Sequence, residues 1–135
     1  MRRFFAALAT LQVLAVAAQF FLAASGAFDT APNEESFQPH RVLGSGILLL
    51  AVLVTVAAAI ARMPGRLIGL SGLVAGLAVV QFVIRAIAKA FDGAAGELVF
   101  GLHAVNGLAI LAVAGMIARQ AGQLSRSATL TRQAP

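Results

Sequence analysis

Apolar residues form four long runs separated by short polar segments, and this pattern predicts a four-helix membrane protein. The runs cover about residues 4–28, 40–61, 67–91 and 95–119. Each is close to or longer than the roughly 20 residues that a helix needs to cross a bilayer. Because open sheet edges are not tolerated in lipid, we expect an all-α up-down bundle. It forms one membrane domain over residues 1–135, with the lipid bilayer around it and residues 120–135 as a tail.

The composition supports this interpretation and excludes several kinds of site. The 135 residues are 60% hydrophobic, with a mean hydropathy of +0.91, whereas about half of a soluble domain is apolar. The absence of cysteine excludes disulfides, cysteine-ligated zinc and iron–sulfur clusters. The chain contains no P-loop, no dinucleotide-binding glycine motif and no Ser–His–Asp arrangement. The sequence therefore predicts no catalytic residue.

Charged residues divide between the two sides of the predicted bundle. Basic residues without acidic neighbours mark one side, namely Arg2, Arg3, Arg62, Arg66, Arg119, Arg126 and Arg132. All five acidic residues fall in the other two connections, namely Asp29, Glu34, Glu35, Asp92 and Glu97. The positive-inside rule then predicts that both termini are cytoplasmic, and the Ala, Gly and Arg bias is typical of a bacterial membrane protein. The net charge of +5 follows from this topology, so we expect no nucleic-acid partner.

The chain contains an internal repeat. A shift of 63 residues aligns His40 with His103 and Gly44 with Gly107, and 11 of the 22 positions from residue 27 to 48 are identical. With a one-residue slip, the Gln-Phe pair at 19–20 also aligns with the pair at 81–82. We therefore expect a duplicated helix pair, related by a rotation of roughly 180° about the membrane normal.

The repeat places both histidines of the chain on equivalent faces of the second and fourth helices. These helices are diagonal in an up-down bundle, so the two imidazoles are expected to converge at its axis. On each helix the histidine shares a stripe with a phenylalanine and a glycine, namely Phe37, His40 and Gly44, and Phe100, His103 and Gly107.

Two facing imidazoles can occupy both axial positions of a haem iron. We therefore predict that His40 and His103 are metal ligands and that the cofactor is haem b. Gly44 and Gly107 would leave room for the flat macrocycle, and the two phenylalanines would flank it.

Haem propionates need cations, and three are available. Arg85 and Lys89 share a face of the third helix, with Arg85 at about the depth of the histidines, and Arg41 follows His40 directly. The alternative for Arg85 and Lys89 is that both extend to the lipid headgroups.

Each polar residue also has a structural interpretation. His40 follows Pro39 near a helix start, where an interfacial histidine is ordinary. The alternative for His103 is a hydrogen bond to a neighbouring helix, with Gln12, Gln19 or Gln81 as partner. Asn106 is expected to make a hydrogen bond between helices rather than to serve catalysis.

The segments PHRVLGSGILLL and GLHAVNGLAIL resemble one half of the haem A synthase family. That family consists of two four-helix bundles, each with a histidine on its second and fourth helices, and its second-helix motif includes the His-Arg pair found here at His40 and Arg41. The resemblance implies a bis-histidine haem bundle. The family's oxidising half has a glutamate three residues before that histidine, where this chain has Phe37, and this chain lacks a second bundle. The layout also resembles small four-span bacterial membrane proteins of unknown function.

The sequence thus predicts a haem b-binding membrane protein with one haem between the second and fourth helices. It would transfer electrons or support a haem-dependent protein. The expected partner is a redox protein or a second copy of the chain. The alternative is a non-haem small membrane subunit or assembly factor with structural histidines. A third hypothesis is an enzyme that modifies or handles haem.

Overall fold

The computed structural model describes the backbone of residues 1–133 and the side chains of residues 1–127. Its helices are α1 (Arg2–Phe28), α2 (Asn33–Ser36), α3 (Gln38–Ile60), α4 (Gly65–Ala88) and α5 (Gly93–Gln133). Apart from the single turn α2, each helix is long and apolar enough to cross a membrane. The predicted all-α membrane fold is confirmed, and the chain is a multi-pass membrane protein.

The helix ends differ from the prediction mainly at α4 and α5. Helix α4 ends at Ala88 rather than near residue 91, and α5 continues to Gln133 rather than ending near residue 119. The predicted tail is therefore helical as far as the structure describes it, and residues 134–135 lie outside the described residues. The apolar run stops at Arg119, but no proline interrupts residues 119–133. Arginine, glutamine, alanine and leucine all favour a helix, so α5 continues beyond its apolar part.

A tight turn joins α3 to α4. Arg62 adopts a left-handed conformation with φ of 49°. Its N–H donates to the Ala59 carbonyl and the Met63 N–H to the Ala58 carbonyl, both at 3.0 Å. These two bonds form a Schellman motif, which satisfies the last carbonyls of a helix. Pro64 then precedes α4, so the chain reverses within a few residues.

The four long helices form a ring in the order α1, α3, α4, α5. Within the described residues, α1 and α4 each approach both α3 and α5, whereas α1 does not approach α4 and α3 does not approach α5 within 8 Å between Cα atoms. Helices α3 and α5 are therefore diagonal. This confirms the predicted placement of the two helices that bear the histidines.

The buried positions repeat along the chain as the sequence predicted. On α3 they are Ile47, Ala51, Val54 and Ala58, and on α5, 63 residues later, they are Ile110, Ala114, Ile117 and Ala121. These residues face the bundle axis from opposite corners, so the duplication is also a duplication of packing.

Helices α1 and α4 repeat with a spacing of 62 residues instead. The buried positions are Phe5, Ala9, Gln12 and Val16 on α1, and Leu67, Ser71, Val74 and Ala78 on α4. This spacing is the one-residue slip that the Gln-Phe pairs indicated. Only 17–22% of each apolar window is buried inside the bundle, so most of the apolar surface is left for lipid.

Candidate cofactor site at the histidine end of the bundle

The two histidines meet at one end of the bundle, here called the histidine end. It is formed by the start of α3, the C-terminal parts of α1 and α4 and the first turns of α5, with α2 nearby. The ring centroids of His40 and His103 are 6.2 Å apart and the ring planes make an angle of 47°. Both side chains are half-buried. The predicted convergence of the imidazoles is therefore observed.

Each histidine packs against the phenylalanine one turn before it. Phe37 meets His40 edge to face, with ring centroids 6.2 Å apart at 87°. Phe100 stacks on His103, with centroids 5.1 Å apart at 13°. Phe37 is half-buried, whereas Phe100 is exposed. The phenylalanine and histidine that share each predicted stripe are thus in contact, and each phenylalanine restricts the orientation of its neighbouring imidazole.

Gln19 on α1 holds His40 from two sides. The Gln19 side-chain Nε2 donates to the His40 backbone carbonyl at 2.7 Å. The His40 Nδ1 lies 3.1 Å from the Gln19 backbone carbonyl, which can only accept. With the proton on Nδ1, the His40 Nε2 keeps its lone pair. A carbonyl that accepts from one ring nitrogen is the usual support of a metal-ligating histidine.

His103 lacks the equivalent hydrogen bond. Its Nδ1 is buried and makes no hydrogen bond with any described residue. The backbone of Gln81 on α4, the repeat equivalent of Gln19, is the polar group beside His103, but its geometry falls short of a hydrogen bond to Nδ1. The histidine end is therefore symmetric in sequence, whereas the Nδ1 atoms of the two imidazoles differ in their hydrogen bonding.

The two repeated glycines accommodate the two glutamine side chains. A Cβ atom added at Gly44 would lie 2.9 Å from the Gln19 Nε2, and one added at Gly107 would lie 3.3 Å from the Gln81 Nε2. The space next to these glycines, predicted to receive a macrocycle, holds carboxamides in this structure. The oxygen of each carboxamide is buried and has no partner among the described residues.

The three predicted cations have different surroundings. Arg41 is bound to the start of α2: its guanidinium donates to the Glu34 backbone carbonyl and lies 3.3 Å from the Glu34 carboxylate. Arg85 is half-buried and lies one turn after Gln81 on α4. Lys89 is exposed. Arg85 is therefore the cation best placed beside the imidazoles, whereas Arg41 is engaged elsewhere.

Asn106 makes the helix-to-helix bond that the sequence predicted. Its Nδ2 donates to the Leu77 carbonyl on α4 at 2.9 Å. It takes no part in the histidine cluster.

The pairing of the glutamines differs from the prediction. Gln19 was one of three predicted partners of His103, but in the structure it pairs with His40. The signal was the duplicated Gln-Phe pair, because a polar residue that recurs at the same place in two apolar helices indicates an equivalent contact with a neighbouring helix.

The histidine end offers few side chains that could bind a metal. Among the described residues, no three His, Asp or Glu side chains come together as in a metal site built from protein ligands alone. Two imidazoles can suffice for haem iron, because the porphyrin supplies the other four ligands.

Comparison with known proteins adds one match. Residues 19–88 match a protein family described as a family of unknown function (DUF6220). The match covers 70 of the 135 residues and includes Gln19, His40 and Gln81, but it ends before His103. No curated protein and no solved structure matches the chain. The likeness to haem A synthase therefore rests on the sequence segments alone.

Proposed function

The chain belongs to the family of unknown function DUF6220, and we propose that it binds one haem b between His40 and His103. The proposed role is electron transfer in the membrane or support of a haem-dependent partner. When both axial positions of a haem are filled by imidazoles, the cofactor supplies one-electron transfer and has no open position for a substrate.

The distance between the imidazoles carries this proposal. A metal held in line between two imidazole nitrogens, each about 2.0 Å away, separates the ring centroids by roughly 6 Å. The centroids of His40 and His103 are 6.2 Å apart. The two residues come from diagonal helices and from equivalent positions of a repeat, so two ligands on opposite sides of one iron fit the symmetry of the bundle.

The hydrogen bonds support His40 as a ligand through Nε2. The Gln19 carbonyl accepts from Nδ1 and so leaves Nε2 free to bind iron. The buried, unpaired Nδ1 of His103 is explained if that ring turns when it binds a metal, because the Gln81 carbonyl then serves it as the Gln19 carbonyl serves His40.

Room for the macrocycle has to come from the glutamine side chains. The Gln19 and Gln81 amides lie over Gly44 and Gly107. Both are the ends of long flexible side chains that can rotate, but rotation of Gln19 breaks its bond to the His40 carbonyl, and the Phe20 ring must also move from Gly107. Arg85 is the cation that would pair with a propionate.

A second function is favoured by the same glutamines. The two hydrogen bonds between Gln19 and His40 join α1 to α3 without any cofactor. This arrangement suits a non-haem subunit or assembly factor in which the histidines only hold helices together.

Optical spectroscopy separates these two functions. The protein is produced in a host supplied with haem precursor, purified in detergent, and reduced. Bis-imidazole haem is low-spin, so sharp α and β bands are expected, with poor binding of carbon monoxide. His40→Ala and His103→Ala should each lose haem or gain a carbon monoxide site, whereas Arg85→Ala should weaken binding by about 10–100-fold.

Asn106→Ala is the matched control. It removes a polar contact one turn from His103 but no iron ligand, so the spectrum should persist. The haem proposal fails if the folded protein is colourless and takes up added hemin no better than the double His→Ala variant. The non-haem function then stands.

A further inference from the structure

Arginines gather at the end of the bundle opposite the histidines, here called the basic end. It comprises the start of α1, the turn between α3 and α4, and the part of α5 that follows its apolar run. Six arginines with described side chains lie there, and all are exposed: Arg2, Arg3, Arg62, Arg66, Arg119 and Arg126. All five acidic residues of the chain lie in the other two connections. The basic end therefore carries a positive charge that no nearby acidic side chain compensates.

The packing of the core holds these arginines around one end of the bundle. A cavity in the core is lined by residues of all four long helices, including Ala9, Val54, Ser71 and Ile117. One turn further towards the basic end, each helix has a residue buried in the same core, namely Phe5, Ala58, Leu67 and Ala121. Every arginine of the basic end lies within five residues of this buried layer. The positive charges are therefore concentrated at one level of the bundle.

Two helices begin at the basic end with a charge that their own dipoles disfavour. The first turn of α1 contains Arg2 and Arg3, and the first turn of α4 contains Arg66. Neither first turn has an acidic residue, and neither N-cap makes a side-chain hydrogen bond. Because a helix N-terminus carries partial positive charge, arginine is unfavourable there unless an anion lies nearby. The described residues supply no such anion, so it has to come from the surroundings.

The arginines of the turn between α3 and α4 are free to bind an anion. Arg62 and Arg66 lie on either side of Pro64, and neither guanidinium makes a hydrogen bond or ion pair with a described residue. Arg62 occupies the left-handed position of the Schellman motif, where glycine is the usual residue. A guanidinium presents its donors in a planar fork that matches a phosphate group.

Exposed apolar side chains stand beside the arginines. Ile60 is 64% exposed and precedes Arg62 by two residues, and Phe4 is 58% exposed and follows Arg3 directly. A soluble anion would interact with the arginines alone. A phospholipid offers a phosphate to the arginines and acyl chains to the apolar side chains, so the basic end suits an amphiphilic partner.

We propose that the basic end binds anionic phospholipids, with Arg62 and Arg66 as contacts to the headgroup phosphate. A headgroup with a net negative charge is favoured over a zwitterionic one, because clustered arginines at a membrane surface attract anionic lipids. The proposal is independent of haem, because the histidines lie at the other end of the bundle.

A single tryptophan can test this proposal, because the chain contains none. Ile60→Trp places the reporter beside Arg62. Phe28→Trp is the matched control at the histidine end, where a side chain that is 91% exposed precedes Asp29. Each full-length protein is reconstituted into vesicles of phosphatidylcholine and phosphatidylglycerol. One of the two lipids carries brominated acyl chains, which quench tryptophan on contact, so exchanging the brominated lipid gives the relative binding constant at each reporter.

Phosphatidylglycerol should bind more tightly than phosphatidylcholine at Ile60→Trp, by about fivefold for each arginine in contact. Adding Arg62→Gln and Arg66→Gln together should remove this preference. Adding Arg62→Lys and Arg66→Lys should retain much of it, because an ammonium group also binds phosphate. At Phe28→Trp the preference should be absent, and circular dichroism checks that each variant is helical.

Four results would overturn the proposal. They are equal quenching by the two lipids at Ile60→Trp, the same preference at both reporters, a preference that survives in the folded double glutamine variant, and loss of the preference when excess inorganic phosphate is added at constant ionic strength. The last result would assign the arginines to a soluble anion. Since the first two comparisons use proteins that retain every arginine, misfolding of the glutamine variant would not prevent a decision.

Discussion

Replacing Gly44 by alanine should destabilise the bundle, although alanine is the better helix former. The new Cβ would lie 2.9 Å from the Gln19 Nε2, closer than real Cβ contacts allow. The Gln19 amide must therefore move, and its 2.7 Å hydrogen bond to the His40 carbonyl is stretched or lost. Gly46, two residues later on α3, is the matched control, since a Cβ there meets no atom within 4 Å.

The expected magnitude follows from two opposing effects. Overpacking a well-packed site costs about 1–3 kcal/mol, and we take the lower end because the displaced group is the end of a flexible side chain. An average hydrogen bond between membrane helices contributes only about 0.6 kcal/mol. Gly→Ala in a helix gains up to about 1 kcal/mol. Gly46→Ala should therefore be neutral or stabilising, and Gly44→Ala should be less stable than it by about 1–2 kcal/mol.

The free energy of unfolding can be measured by titrating detergent micelles with sodium dodecyl sulfate and following helicity by circular dichroism. Gln19→Ala should remove the obstruction, so adding Gly44→Ala to that variant should cost no more than Gly46→Ala does. The reasoning is refuted if Gly44→Ala and Gly46→Ala have the same stability in the wild-type background.

The repeat extends this prediction to the second helix pair. A Cβ at Gly107 would lie 3.3 Å from both the Gln81 Nε2 and the Phe20 ring. Gly107→Ala should therefore also destabilise, but less than Gly44→Ala. Gly115→Ala on the same helix is the control, because nothing lies within 4 Å of its added Cβ.

Two further predictions concern the turn after α3 and the topology. Arg62→Gly should stabilise the protein by about 1 kcal/mol, because glycine adopts the left-handed conformation at φ of 49° without strain. Arg66→Gly removes the same charge from the helical first turn of α4 and should not stabilise; equal unfolding free energies for the two variants would contradict the strain argument. Reporter fusions at Asn33 and at Pro135 should report opposite sides of the membrane, with Pro135 cytoplasmic; a shared side would contradict the predicted topology.

The bundle could be predicted from the sequence because the patterns that indicate it are either local to one helix or repeated in two helices. Apolar runs of membrane-spanning length predict helices without any knowledge of their neighbours. Matching His40 with His103 then predicted that α3 and α5 are equivalent, and the structure places them on a diagonal with their histidines together. The end of α5 was predicted wrongly, because the loss of hydrophobicity after Arg119 marks the end of a membrane span rather than the end of a helix.

The tertiary structure alone decided how the polar side chains are partnered. The sequence determined which residue types recur in the repeat, but hydrogen bonds depend on the rotation and spacing of neighbouring helices, and hydropathy does not specify either. The packing of α1 against α3 therefore decided that Gln19 binds His40 and lies over Gly44. The one-residue slip, in contrast, is already present in the sequence as the spacing of the Gln-Phe pairs at 19–20 and 81–82. The structure shows that this slip pairs a buried Gln12 with a buried Val74, so one polar side chain lies in the apolar core.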